Sequence, residues 1–375
     1  MGPGERLSQA SGRLRIERQR WQNSRALAPG RRDFRDFYER LPDKRNVFYM
    51  FFTGGLLHWV AKASGFVPDD VNLVLFGSAL PPDEQEWVRD TLGRPFFHLG
   101  PRINDKIAWT FLFDTNEQNF GWLDIDCFVL NSQLFEEMSK IADRDCVNGA
   151  WWYDTGFGFQ LSATYFQFFN AGVLRKLRAA GMGATPNCYA YRPVSCPVPG
   201  QRFYSEPLTR RFRRQLLTVV PADEAGQPRA PAGDTYFDTT VMPQLMARSL
   251  GFGAGHVRDL GRRAWNRPDL EEISDELVHI GAVSYSSVLS ESYQPIQSPG
   301  IALRYLLADY VALGATGQFP EGYAGRRELI IGELAKSGLT PAAAEEAARR
   351  HLTEERGLSA QAADLVVANA HGQHV

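Results

Sequence analysis

Between Phe120 and Asn131 the chain reads Phe-Gly-Trp-Leu-Asp-Ile-Asp-Cys-Phe-Val-Leu-Asn, an apolar run with two carboxylates, Asp124 and Asp126, set inside it. The run is short and rich in residues that favour strands, which predicts a buried strand rather than a helix. A carboxylate in such surroundings is costly unless something neutralises it. In a regular strand residues i and i+2 point to the same face, so both carboxylates converge, and at a strand end they can hold a divalent cation. An ordinary Asp-x-Asp at a strand-to-turn junction, solvated or capping a helix, has the same spelling, so its neighbours must decide.

With 375 residues and 44% hydrophobic composition the chain can build one large domain or two smaller ones with a substantial core. A net charge of -2 argues against general nucleic-acid binding and against a polybasic membrane protein. No apolar run approaches the length of a membrane span and the N-terminus lacks the apolar centre of a signal peptide, so the expectation is a cytoplasmic protein. Cys127, Cys146, Cys188 and Cys196 make no disulfide framework and no Cys-x-x-Cys pair, and are expected to be reduced thiols. Cys188 and Cys196 could pair in an oxidising compartment.

Residues 1–45 are Arg- and Gln-rich with sparse anchors at Trp21, Phe34 and Phe37, which predicts a helical arm packed on the domain or on a partner. Asn46 to Gly55 is a near-continuous apolar run ending in Thr53-Gly54-Gly55, a buried strand with a sharp turn into a helix over Leu56 to Ser64. Those glycines let a ligand approach the backbone, though a tight turn alone would also demand them. The pattern repeats as a strand over Val71 to Gly77, a helix over Pro81 to Leu92 and a strand over Pro95 to Leu99. Such alternation means an α/β fold with a mostly parallel sheet, whose ligands bind beyond the carboxyl ends of the strands. Asn104-Asp105-Lys106 opens the next helix, with Lys106 placed to meet a phosphate or simply to be solvated.

After a helix over Ser132 to Ala142 the chain turns aromatic, with Trp151, Trp152 and Tyr153 suited to stacking on a ring-bearing acceptor or to packing a core. Ala163 to Leu174 predicts a strand breaking at Asn170-Ala171-Gly172 into a basic helix. Residues 183–233 carry Pro, Gly and Arg without period, an irregular insertion or lid in which Arg192, Arg202, Arg210 and Arg211 could meet phosphates. Asp234 and Asp238 lie at the start of a predicted helix, four residues apart and on one face if both are helical. His279 is the single polar residue of a short strand, Val278 to Ser284. Residues 291–375 read as a helical extension, Ala- and Glu-rich and peripheral from Pro341 onward.

In order, Phe52-Thr53-Gly54, Leu-Asp-Ile-Asp-Cys, Phe169-Asn-Ala-Gly-Val173 and a late His279-Ile-Gly resemble nucleotide-sugar-dependent glycosyltransferases of the GT-A fold. The likeness is to the glycogenin-like and lipopolysaccharide-galactosyltransferase-like retaining branch, and covers about residues 46 to 285. The resemblance implies a catalytic domain over residues 46–290 with a Rossmann-like central sheet between helical N- and C-terminal extensions. It implies Mn²⁺ or Mg²⁺ held by Asp124, Asp126 and His279, with the cation bridging the donor's diphosphate. Leaving-group departure puts charge on that diphosphate, which a hard cation stabilises. It further implies donor contacts from Phe52, Thr53, Gly54, Asn104, Lys106, Asp124, Ala171 and Gly172, and roles nearest the reacting carbon for Asn170 and for Asp238 or Asp234. The family's Asp-Gln pair has no match here, since Thr follows each Asp.

The implied partners are a nucleotide-diphosphate sugar and a small-molecule or glycan acceptor, with no nucleic acid and no transmembrane segment. The terminal helices leave self-association open. Two other classes compete. A sugar nucleotidyltransferase shares the sheet and the acidic strand but should carry a basic Gly-rich loop after the first strand, where this chain has Phe-Thr-Gly-Gly-Leu-Leu-His. A non-catalytic nucleotide-sugar-binding protein would not need Asp124, Asp126 and His279 together.

Overall fold

A computed structural model describes residues 25, 27–190, 206–231, 236–260, 271–290, 293–314 and 319–368, together with the backbone of residues 262–263. Helix α1 covers residues 27–39. Strands and helices then alternate as β1 (Val47–Thr53), α2 (Leu57–Gly65), β2 (Leu73–Ser78), α3 (Pro82–Thr91), β3 (Phe96–Leu99), α4 (Asp105–Thr115) and β4 (Phe120–Leu123). Each strand coincides with an apolar run because both of its faces are covered. In β1, Phe48, Met50 and Phe52 enter one core while Val47 and Tyr49 enter the other, as the two-residue period of a strand requires.

The middle of the chain adds β5 (Cys127–Val129), α5 (Gln133–Ser139), β6 (Asp145–Gly149), the hairpin β7 (Trp152–Asp154) and β8 (Gln160–Ser162), β9 (Phe166–Phe169) and α6 (Ala171–Ala179). After these come β10 (Tyr189–Ala190), β11 (Glu206–Pro207), α7 (Arg210–Leu216), α8 (Val241–Ser249) and β12 (Gly253–His256). The central sheet has seven strands in the order β12-β6-β9-β4-β1-β2-β3. Every neighbouring pair is parallel except those made by β9, which runs against both β4 and β6. The fold is therefore mixed α/β with a mostly parallel central sheet, as the sequence predicts.

The acidic run departs from expectation. Instead of one strand over residues 120–131 it makes two, β4 in the central sheet and β5 in a separate three-stranded sheet. Asp124 N still donates to Tyr165 O at 2.8 Å, then Cys127 N closes a turn onto Asp124 O at 3.1 Å. The hydrophobic pattern continues unbroken through this point because both halves are buried, each in a different sheet.

Beyond β12 the chain forms β13 (Arg262–Arg263), β14 (Glu272–Ile273), β15 (Leu277–His279) and a short helix α9 (Val283–Ser286). Four helices follow: α10 (Pro299–Leu313), α11 (Ala324–Lys336), α12 (Pro341–Arg350), which continues into a π turn at His351–Glu355, and α13 (Ala360–Val367). These are not peripheral. Ala344, Ala348, Leu352, Ala363 and Val366 join the same core as Phe48 and Met50, while Phe34 and Tyr38 of α1 join the opposite one. Small alanines let α12 approach closely, which a composition rich in Ala and Glu disguised as a solvated surface. Within the predicted lid, α7 is an ordered helix whose Arg211 reaches Ala180 O. Arg192 and Arg202 lie outside the described residues.

A buried polar network fastens the C-terminal helices to the first strand-to-helix turn. Asp309, fully buried, accepts from His58 Nε2 at 3.1 Å, Trp59 Nε1 at 2.9 Å and Val288 N at 3.1 Å. Tyr323 donates its hydroxyl to Gly55 O at 2.9 Å, beside His58 Nδ1. Burial holds the His58 imidazole neutral, lowering its pKa against the opposing pull of Asp309. Asp309→Ala leaves these buried donors unpaired and should cost at least about 3 kcal/mol in denaturant unfolding. A loss under about 1 kcal/mol would show that the network is not what ties the helices down.

Candidate metal and donor site

The break between β4 and β5 sits at the carboxyl end of β4, beside the end of β1, to which β4 runs parallel. Strand β15 lies antiparallel to β5 with His279 opposite Cys127, which brings the histidine back to the two aspartates across 150 residues of chain. Asp124, Asp126 and His279 offer ligand atoms that all lie within 4.8 Å of one another, and His279 Nε2 is 3.6 Å from Asp126 Oδ1.

Each member of this cluster is held from behind. Glu272, 1% exposed, takes His279 Nδ1 at 3.1 Å, which leaves Nε2 facing the aspartates. The Tyr165 ring stacks on the imidazole at 3.8 Å between centroids and 16° between planes. The Trp122 indole N–H donates to Asp124 Oδ1. Asp126 Oδ2 accepts from Val283 N at 3.2 Å, an amide aimed by a turn in which Gly281 and Ala282 both have positive φ, 77° and 55°. A non-glycine residue in that region is strained, and such strain persists only where the surroundings impose it.

Burial and the Asp126 charge push the Asp124 carboxyl up to about 7, with His279 and the Trp122 hydrogen bond pulling the other way. Burial alone would lower the His279 pKa, but its Glu272 hydrogen bond and the charges of Asp126, Glu272 and Asp124 raise it overall. Two carboxylates and an imidazole with a carboxylate behind it match the donor set of a divalent transition ion or magnesium. A cation between them would relieve the like-charge repulsion that lifts Asp124.

The start of α4 closes a second side. Asn104 caps the helix, its side chain accepting from Ile107 N at 3.1 Å. Asp105 is raised by burial, with Lys106 opposing and Asp238 adding, and Asp105 in turn bears on Asp124. Lys106, Asp105 and Asp238 therefore share one electrostatic neighbourhood with the aspartate pair. Asp238 precedes α8 rather than lying in it, because α8 begins at Val241 after Thr240 in the left-handed region. The expected shared helix face with Asp234 is not formed by Asp238, and Asp234 lies outside the described residues. Asp238 is oriented by the Cys188 thiol, which donates to Oδ1 at 3.0 Å, and by Thr239 N at 2.7 Å.

Other predicted contacts are placed elsewhere. Asn170 caps α6 through Val173 N at 3.1 Å and donates to Ala142 O at 3.2 Å. Because β9 runs against β4, with Phe169 opposite Phe120, Asn170, Ala171 and Gly172 lie at the far end of the ladder, roughly 16 Å from Asp124. The end of β9 beside Asp124 carries Tyr165 instead. Phe52 packs in the core with Phe96, leaving Thr53 and Gly54 at the end of β1. The Gly55 amide faces the Glu84 carboxylate at 3.2 Å, an acid where a phosphate would need a donor. Trp151 and Trp152 are buried, Trp152 stacked on His256 at 3.6 Å, so neither offers a free face to an acceptor.

Sequence reasoning missed Glu272, Tyr165, Trp122 and Cys188. Only Trp122 left a signal, two residues before Asp124 and hence on the same strand face. The raised Asp124 carboxyl carries a stability consequence. Its folded pKa of about 7 exceeds its unfolded value near 4, so the folded state holds a proton that the unfolded state has lost, and stability falls as pH rises between the two. Asp124→Asn should therefore melt a few degrees above wild type at pH 8 without metal, with the difference vanishing below about pH 4. Equal melting at both pH values would show that the Asp124 carboxyl is not raised in the folded state.

Residues 24–174, under half of the chain, match the family described as StrH glycosyltransferase N-terminal domain. The dTDP-dihydrostreptose--streptidine-6-phosphate dihydrostreptosyltransferase of Streptomyces griseus is 26% identical over 286 residues, covering 67% of this chain and 71% of the relative. Among solved structures, the glycosyltransferase GlyE of Streptococcus pneumoniae aligns over 38% of this chain and 37% of its own at 13% identity and a TM-score of 0.29. A cytidylyltransferase from Leptospira borgpetersenii aligns over 78% and 95% at 12% identity and a TM-score of 0.31. Structural likeness that slight carries no argument. The family match and the streptomycete relative are similarities in sequence, and both support a glycosyltransferase.

Proposed function

We propose that this chain is a metal-dependent glycosyltransferase of the GT-A type, moving a sugar from a nucleotide-diphosphate donor to an acceptor hydroxyl. The observation that carries the proposal is the convergence of Asp124, Asp126 and His279 at the carboxyl end of β4, with Glu272 holding the imidazole so that Nε2 faces the carboxylates. Those three residues would hold Mn²⁺ or Mg²⁺, which supplies Lewis-acid stabilisation to a departing diphosphate. Lys106, at the start of α4, bears electrostatically on Asp105, which bears on Asp124, and we place it where it would meet the diphosphate's remaining charge. Asp238, oriented by Cys188 and Thr239, is the carboxylate we place nearest the transferred sugar. We leave Asn170, Ala171 and Gly172 out of the proposed site, since they begin α6 at the end of the β4–β9 ladder away from the aspartates.

A nucleotidyltransferase is disfavoured by the turn after β1. Such an enzyme needs amides and basic side chains there to take a triphosphate, and the Gly55 amide is occupied by Glu84. The streptomycete relative is named for dTDP-dihydrostreptose and streptidine 6-phosphate, so dTDP-linked sugars are the first donors to screen. We carry over retention of anomeric configuration from the resemblance. Proton NMR of the product's anomeric coupling tests it directly.

Asp126→Ala should fold normally and lose about a thousandfold or more in transfer rate, the loss expected when several kcal/mol of charge stabilisation is removed. Chelator should silence the wild type, and Mn²⁺ should restore it. Full turnover of donor by the mutant, or by wild type in excess chelator, would overturn the metal-dependent reading.

A further inference from the structure

The hairpin that carries His279 is gripped by the C-terminal helices. Strands β14 and β15 pair with Glu272 opposite His279. Glu271, just before β14 and 7% exposed, takes His351 Nε2 at 3.0 and 3.1 Å on its two oxygens and also pairs with the Arg356 guanidinium. In the hairpin's turn, Asp275 Oδ1 accepts from Ser359 N at 2.7 Å, at the cap of α13. Successive residues of a strand point to opposite sides. Glu271 therefore faces the C-terminal helices while Glu272 faces the imidazole.

The π turn is what makes the grip two-handed. Its hydrogen bond from Arg356 N to His351 O, 3.1 Å long, draws together residues five apart, so that both reach one carboxylate. His351 is itself fixed by Glu355, which accepts from Nδ1 at 2.9 Å and pairs with Arg304 at 3.2 Å.

We propose that the C-terminal helices are a positioning element of the metal site, in which Arg356 and His351 hold Glu271, and through it β14, so that Glu272 keeps His279 aimed at the aspartates. This rests on Asp124, Asp126 and His279 being metal ligands. Neither Arg356 nor His351 belongs to the cluster that would hold the metal. Their effect passes through one strand to the ligand's supporting carboxylate, the kind of outer partner whose loss weakens a metal site without removing a ligand. Metal binding and docking of these helices are then linked, each favouring the other.

The test uses the full chain and Mn²⁺ alone. Arg356→Met and Glu271→Gln remove the contact from its two sides, and Mn²⁺ affinity is read by titration calorimetry without donor. Each variant should bind Mn²⁺ roughly ten- to a hundredfold more weakly, and the double variant no more weakly than the worse single one, because both act through one contact. Amide exchange over residues 272–280 should quicken in both, while that of β2 stays at its wild-type rate. A lower melting temperature with unchanged Mn²⁺ affinity and unchanged hairpin exchange would overturn the proposal, leaving the helices as simple ballast. Absence of Mn²⁺ binding in the wild type would instead sink the metal reading, and hairpin exchange in Arg356→Met would then decide alone whether the helices hold the strand of His279.

Discussion

Two carboxylates forced together, Asp126 buried and Asp124 half-buried, are the constraint around which this molecule is arranged. Burial first, and then the repulsion between Asp124 and Asp126, raise the Asp124 carboxyl. A chain selected only for stability would have replaced one of them. The surroundings instead supply an indole donor to Asp124, a backbone amide to Asp126 and an imidazole facing both. Each of these lowers the repulsion without removing it, which is the condition of a site that still has something to gain from a cation.

Holding that arrangement requires parts of the chain that are far apart in sequence. The central sheet delivers Asp124 at the end of β4, and a second, small sheet receives the chain at Cys127 and returns His279 opposite it. The junction between two sheets is what allows the carboxylates to leave the pleat and face a common space. Stiffness then comes from outside: an aromatic layer with Trp109 stacked on Trp122 at 4.3 Å, worth about 0.5–1.5 kcal/mol beyond burial, and helices packed over both faces of the sheet. The C-terminal helices do more than cover a face, since they also touch the β14–β15 hairpin and the turn after β1.

Several parts of this were legible from residues alone. The alternation of apolar runs such as Val47 to Thr53 with helical stretches implied a parallel sheet, because strands buried on both faces read as continuous hydrophobic runs. Asp-Ile-Asp inside an apolar run pointed to a cation site, whereas His279 joined that site only through the family resemblance and not through anything local to its strand. At Phe169-Asn-Ala-Gly-Val173 the structure does not bring the matched residues to the aspartates. A short motif carries no direction, and β9 runs antiparallel, so the Asn-Ala-Gly step falls at the end of the sheet away from the aspartates. At Trp151 and Trp152 the sequence left stacking and core packing both open, since nothing local distinguishes an aromatic that stacks on a ligand from one that fills a core, and the structure buries both.

What the sequence determined by itself was the first buried strands, β1 to β3, and the chemistry concentrated on the acidic run that follows them, because hydrophobic periodicity and an uncompensated acid in an apolar run are local properties. Tertiary structure alone decided that the acidic run splits between two sheets, that Glu272 stands behind His279, that Asp238 lies before its helix rather than in it, and that an Ala-rich tail is core. Those are outcomes of pairing between segments far apart in the chain. Their free energy comes from contacts that no single stretch contains, so no local pattern could announce them.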